Sequence, residues 1–157
     1  MTELDGAGGP GGAAAGAPIR VLIAEDQALL QTTLAALLEA EPGMSVVGLA
    51  EDGARAVALA AELRPDVVLM DLHMPGTDGV WATAQITADC PDTKVLVLTA
   101  FDTDAMVAAA LRAGATGFLP RTSPEECLVD NVAAHALHAL GTRLPLPRSF
   151  PSAARTN

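Results

Sequence analysis

The chain has 157 residues, half of them hydrophobic, with one Trp, three Phe and no Tyr, so its core must be built from aliphatic side chains. A formal net charge of −10, from 9 Lys and Arg against 19 Asp and Glu, argues against this segment gripping nucleic acid by itself, because phosphate neutralisation needs clustered cations. No apolar run approaches the roughly 18 residues needed to span a bilayer, whereas a single domain of this length buries about two-thirds of its unfolded surface.

Residues 1–18, MTELDGAGGPGGAAAGAP, hold early acids and no basic start, which does not fit a signal peptide, and their Gly and Ala content predicts a disordered leader. From Ile19 the texture changes. IRVLIA (19–24) is a short β-branched run ending abruptly at EDQ, which predicts a buried strand. The next segment places Leu30, Leu34, Leu37 and Leu38 at helical spacing and stops at Pro42-Gly43. MSVVGLA (44–50) reads as a strand. DGARAVALAAELRP reads as a helix with Val57, Leu59, Ala60 and Leu63 on one stripe, closed by Pro65.

DVVLMD (66–71) is a third buried strand, and GVWATAQITADCP a helix broken at Pro91, with Asp78 suited to cap its start. TKVLVLTA (93–100) is a fourth strand, DTDAMVAAALRAG (102–114) an alanine-rich helix ending at Gly114, and TGFLP (116–120) a brief fifth strand. In SPEECLVDNVAAHALHAL, Ser123 as N-cap, Pro124 at the first helical position and Glu126 three residues on form a capping box for a last helix. Unbroken alternation of strands and helices implies an α/β domain with a doubly wound parallel sheet and right-handed crossovers.

In such a sheet functional groups collect outside the carboxyl ends of the strands. Glu25 and Asp26 follow the first strand, Asp71 ends the third, Thr99 ends the fourth and Arg121 follows the fifth, so all five converge on one rim. Three carboxylates at one edge repel one another unless a cation sits among them. Oxygen ligands few in number, leaving room for water and phosphate oxygens, suit Mg²⁺.

EDQ after the first strand, DLHMPGTDG after the third, TAF after the fourth and GFLPR after the fifth resemble the receiver domain of bacterial response regulators. The resemblance spans about residues 19–140 and, through PDTKVLVLTAFDTDAMVAAALRAGATGFLP, points to the NarL/FixJ subfamily, whose receivers precede a LuxR-type helix-turn-helix. It implies a flavodoxin-like (βα)5 fold with strand order 2-1-3-4-5. It further implies that Asp71 accepts a phosphoryl group from a histidine kinase, with Mg²⁺ held by Asp26, Asp71 and the backbone carbonyl of His73, and by Glu25 through water. Thr99 would then bond the phosphoryl oxygen and Phe118 swing inward, a two-state element biased by a local charge. The implied protein is a cytoplasmic signalling domain rather than an enzyme, regulating transcription and dimerising through the fourth helix, fifth strand and last helix.

One departure stands out. Receivers ordinarily carry lysine where this chain has Arg121, and the one lysine, Lys94, starts the fourth strand, about 16 Å from the rim at ~3.3 Å per residue. Arginine keeps the charge and can contact phosphate, but its planar fork is larger and differently aimed. A receiver that works unphosphorylated, as an interaction module, is therefore the alternative reading. A Mg²⁺-dependent hydrolase is a third, weakened because His73 stands where such enzymes carry a second aspartate.

The remaining polar residues carry blander readings. Cys90 and Cys127, far apart and without metal-type spacing, read as small buried thiols in a reducing cytosol. The His73 side chain either lines the site mouth or is an exposed loop residue, His135 and His138 read as surface residues, and Trp81 as half exposed. Residues 141–157, with three arginines, no acid and three prolines, read as a linker or disordered tail, and no recognition helix fits there. Whether a DNA-binding domain lies beyond this segment or the receiver stands alone stays open.

Overall fold

The computed structural model describes residues 17–74, 79–99, 104–120 and 132, with the side chains of Thr99 and Pro120 excepted. Five strands, β1 (Ile19–Ala24), β2 (Met44–Ala50), β3 (Val67–Asp71), β4 (Lys94–Thr99) and β5 (Gly117–Pro120), form one parallel sheet. Between them run α1 (Ala28–Glu39), α2 (Gly53–Leu63), α3 (Gly79–Asp89) and α4 (Asp104–Arg112). Spatially the strands lie in the order β2-β1-β3-β4-β5, the doubly wound arrangement expected.

The sheet is buried on both faces because its strands are apolar at successive positions and alternate sides with period two. Leu22 and Ala24 of β1, Val68 and Met70 of β3, and Val95 and Val97 of β4 enter one core with Ala56, Leu59 and Ala60 of α2, Ala82 and Ile86 of α3 and Ala110 of α4. Val21, Ile23, Val67, Leu69, Leu96 and Leu98 enter the other, against Leu34 and Leu38 of α1. Val132, helical and fully buried, packs in this second core. Each large aliphatic side chain so buried contributes about 1.5–3 kcal/mol.

Local chemistry sets the ends. The Asp52 carboxylate accepts from the Arg55 N–H at 2.7 Å as the N-cap of α2, and Arg64 takes a left-handed conformation (φ 50°) at its C-cap, just before Pro65. Gly114, at φ 116°, turns the chain after α4 in a conformation other residues rarely adopt. β4 begins one residue later than expected because Thr93 belongs to a turn, its hydroxyl donating to the Pro65 carbonyl at 2.7 Å. β3 and β5 likewise start one residue late, within the usual ambiguity of strand ends.

The outer strand β2 carries an extra residue: the register passes from Val21 opposite Val46 to Leu22 opposite Gly48. Near this bulge the Glu39 carboxylate accepts the Val46 N–H at 2.7 Å, occupying a donor that would otherwise invite another strand. Lys94 pairs with Val67 at the amino end of the sheet, away from the carboxyl rim. Cys90 is buried, and Trp81 is 43% exposed, as expected. Cys127, His135, His138, Asp78 and the capping residues of the last helix, Ser123, Pro124 and Glu126, lie outside the described residues.

Candidate functional site

Strand register brings the acidic residues together. Ala24 pairs with both Ala50 and Met70, so Glu25 and Asp71, each one residue further on, emerge side by side at the carboxyl edge. The Glu25 N–H donates to the Ala50 carbonyl at 2.9 Å, extending the β1–β2 ladder to the rim. One carboxylate oxygen each from Glu25, Asp26 and Asp71 lies within 4.8 Å of the others. Glu25 and Asp71 are fully buried and Asp26 is half-buried.

Backbone donors orient two of the three. The His73 N–H donates to Asp71 Oδ1 at 3.0 Å, and the Gln27 N–H to Glu25 Oε2 at 3.1 Å. No backbone N–H among the described residues is recorded on the Asp26 carboxylate, whose Oδ1 is buried and accepts no hydrogen bond among them. Two ionised carboxylates at this spacing repel by about 3 kcal/mol at an effective dielectric constant near 20. A pocket of three such groups, with a buried Asp26 oxygen that accepts no hydrogen bond among the described residues, therefore fits a small hard cation, and the few protein oxygens suit Mg²⁺ better than Ca²⁺.

The other expected site residues are placed less completely. Leu98 lies opposite Asp71, so Thr99 sits one residue nearer the rim, opposite Pro120; its side chain is outside the described set, as is the whole of Arg121. Phe118 lies on β5 opposite Val97, with half of its surface exposed. The His73 side chain is exposed, and its main-chain N–H is the donor to Asp71 Oδ1.

Two contributors escaped the sequence reading. Gln31, on the second turn of α1, donates its side-chain amide to the Glu25 carbonyl at 3.0 Å and to the Ala50 carbonyl at 3.2 Å. Its only signal in the sequence is a polar residue beside the Leu30–Leu34 stripe. Gly79 opens α3 against β3, where an added Cβ would stand 2.8 Å from the Asp71 carbonyl oxygen and 2.9 Å from Leu72 Cα. The second glycine of DLHMPGTDG, Gly79, is thus the residue that lets a helix start directly over the site.

Comparison with known proteins agrees with this geometry. A family model for the response regulator receiver domain matches residues 21–133. The transcriptional regulatory protein LiaR of Bacillus subtilis is 46% identical over 116 residues, which cover 74% of this chain and 55% of LiaR. A protein-glutamate methylesterase/protein-glutamine glutaminase of Anaeromyxobacter dehalogenans is 50% identical over 106 residues, 68% of this chain but 31% of that protein. Among solved structures, the signal receiver domain of NarL from Mycobacterium tuberculosis superposes with a TM-score of 0.72 at 36% identity, covering 76% of this chain and 97% of that one. The chain spans about half the length of LiaR and a third of the methylesterase, the remainder of each lying beyond the match.

Proposed function

The chain belongs to the response regulator receiver domain family, and we propose that it is the switch domain of a two-component regulator of transcription, phosphorylated on Asp71 by a histidine kinase with Mg²⁺. The observation that carries this reading is the convergence of Glu25, Asp26 and Asp71 within 4.8 Å at the carboxyl edge of the sheet. The likeness to LiaR, a transcriptional regulatory protein, supports an output in transcription, which in this reading runs through a DNA-binding domain. In this reading the segment, with its net charge of −10, binds neither nucleic acid nor membrane itself and works in the cytoplasm. No helix among the described residues is long and apolar enough to cross a bilayer.

In this reading Asp26 and Asp71 hold the cation directly, Glu25 holds it through water, and the His73 carbonyl completes the protein ligands. Bound there, Mg²⁺ would neutralise the phosphoryl oxygens. An Asp71 carboxylate oxygen attacks phosphorus in line; the new P–O bond forms as the P–N bond to the kinase histidine breaks, and the imidazole nitrogen keeps the electron pair. The His73 N–H limits rotation of the Asp71 carboxylate and so keeps the attacking oxygen aimed. Thr99 then bonds a phosphoryl oxygen, and Phe118, half exposed on β5, turns inward. Apart from accepting and slowly losing its own phosphoryl group, the domain turns over no substrate.

Intact-mass measurement after incubation with acetyl phosphate and Mg²⁺ tests the reading: one phosphoryl group is expected, and none would leave the unphosphorylated interaction module in its place. Arg121 then has a comparison of its own. As the phosphate-contacting cation in lysine's position, its wider fork fits a small space less well, so Arg121→Lys should label several-fold faster. Equal labelling rates and equal Mg²⁺ affinities would show the exchange to be neutral.

The output face is expected on α4 and β5, together with the last helix that the sequence predicts, which apart from Val132 lies outside the described residues. Leu111 and Phe118 are 41% and 50% exposed, and Ala105, Ala108 and Ala109 of α4, with Ala113 just past its end, keep the surface low enough for another chain to approach. Phosphorylation is expected to favour a homodimer through this face. Light scattering with beryllofluoride and Mg²⁺ should show a doubled molar mass, and an unchanged mass with the mimic demonstrably bound would reject that dimer.

A further inference from the structure

We propose that Gln31 is a positioning residue of the acidic site, setting the affinity of the pocket for its divalent cation without touching the cation. The inference rests on the Mg²⁺ reading of Glu25, Asp26 and Asp71 given above. Gln31 stands on α1, packed on one face of the sheet, yet its amide reaches across to the rim and bonds two carbonyls, that of Glu25 just past β1 at 3.0 Å and that of Ala50 at the end of β2 at 3.2 Å. The Glu25 carbonyl belongs to the peptide that leads into Asp26, so the two bonds fix where Asp26 begins. Asp26 Oδ1 has no donor among the described residues to fix it otherwise.

The chemistry of the group matters as well as its reach. An amide supplies two N–H donors and no charge, so it holds the β1–α1 turn while leaving the negative charge of the three carboxylates intact for a cation. A lysine or arginine there would donate equally but place a positive charge beside the pocket. Groups that hold metal ligands in place commonly alter affinity 10–100-fold when removed; with the bonds made to the main chain rather than to a ligand atom, the lower end applies.

The test compares the parent with Gln31→Met, which keeps the length of the side chain and loses both donors, and with Gln31→Ala. Calorimetric titration with MgCl₂ should show an affinity about 10-fold weaker in both variants, with metal-free thermal unfolding still cooperative. In labelling with acetyl phosphate, the Mg²⁺ concentration giving half-maximal rate should rise by the same factor, while the rate at saturating Mg²⁺ stays within about twofold of the parent's. Mg²⁺ binding equal to the parent's, or a fall in the saturated rate with the half-maximal concentration unchanged, would overturn the role. So would loss of folding in both variants, which would make Gln31 a stability residue. A parent that binds no Mg²⁺ would instead overturn the metal-site reading itself, and Asp26→Asn separates the two cases, since it should remove binding whatever the residue at position 31.

Discussion

Asp71→Asn removes acetyl-phosphate labelling, with an expected loss of at least about 10³-fold, the scale seen when a nucleophile is deleted. The substitution is nearly isosteric, and an asparagine side-chain oxygen still accepts the His73 N–H that Asp71 Oδ1 accepts at 3.0 Å, so the turn after β3 is preserved. What disappears is the anionic oxygen that attacks phosphorus, together with one of the three charges gathered within 4.8 Å. The second loss has its own signature. Asp71 is fully buried beside Glu25, so neutralising it relieves repulsion and should stabilise the metal-free fold by about 1–3 kcal/mol. A higher melting temperature without Mg²⁺, a smaller rise on adding Mg²⁺ and no phosphoryl mass are expected together. Phosphoryl addition that persists in this variant would take the acceptor role away from Asp71.

Gly79→Ala should cost both stability and labelling, although alanine is ordinarily the better helix former by about 1 kcal/mol. The new methyl group would stand 2.8 Å from the Asp71 carbonyl oxygen, 2.9 Å from Leu72 Cα and 3.3 Å from Leu72 Cδ2. The first two are backbone atoms of the segment that carries the acceptor, and neither can turn aside as the end of a side chain can. Nor is the helix free to yield: the Thr83 hydroxyl, buried in α3, donates to the Gly79 carbonyl at 2.8 Å, and Ala82 and Ile86 are packed into the core beneath. Overpacking of this kind costs about 1–3 kcal/mol, which exceeds the gain in propensity. Separation of α3 from β3 by even part of an ångström would misplace Asp71 against the donor phosphorus, and a misplacement near 1 Å can lower a rate about 10²-fold. Thermal unfolding and the labelling rate at saturating Mg²⁺ check the two effects; a variant equal to the parent in both would show that the close approach is dispensable.

How much of this was open to a reader of the sequence follows from the range of the forces involved. The strands IRVLIA and MSVVGLA were legible to the residue, and the helices nearly so, because burial on both faces leaves short apolar runs and helical stripes that end at Pro, Gly or a polar group. The position of Glu25, Asp26 and Asp71 at a common rim was legible for the same reason: each follows or ends a strand, and parallel strands present their carboxyl ends together. The order of the strands was not written in the alternation of elements; it came from likeness to a family, since β1 lies between β2 and β3 through contacts that chain proximity does not dictate.

Tertiary structure alone decided which helices share a face, that Val47 is an extra residue between Val46 and Gly48, and that Asp26 Oδ1 meets no donor among the described residues. It also decided the roles of Gln31 and Gly79. A glutamine on a helix or a glycine at its start has the same local chemistry in any protein, and each acquires its meaning from backbone brought to it by distant segments: the Ala50 carbonyl, 19 residues on, for Gln31, and the end of β3 for Gly79. Local pattern determines where apolar surface must be buried and where the chain must turn, whereas the distances that make a rim of carboxylates into a cation site are set only when non-adjacent strands and helices pack.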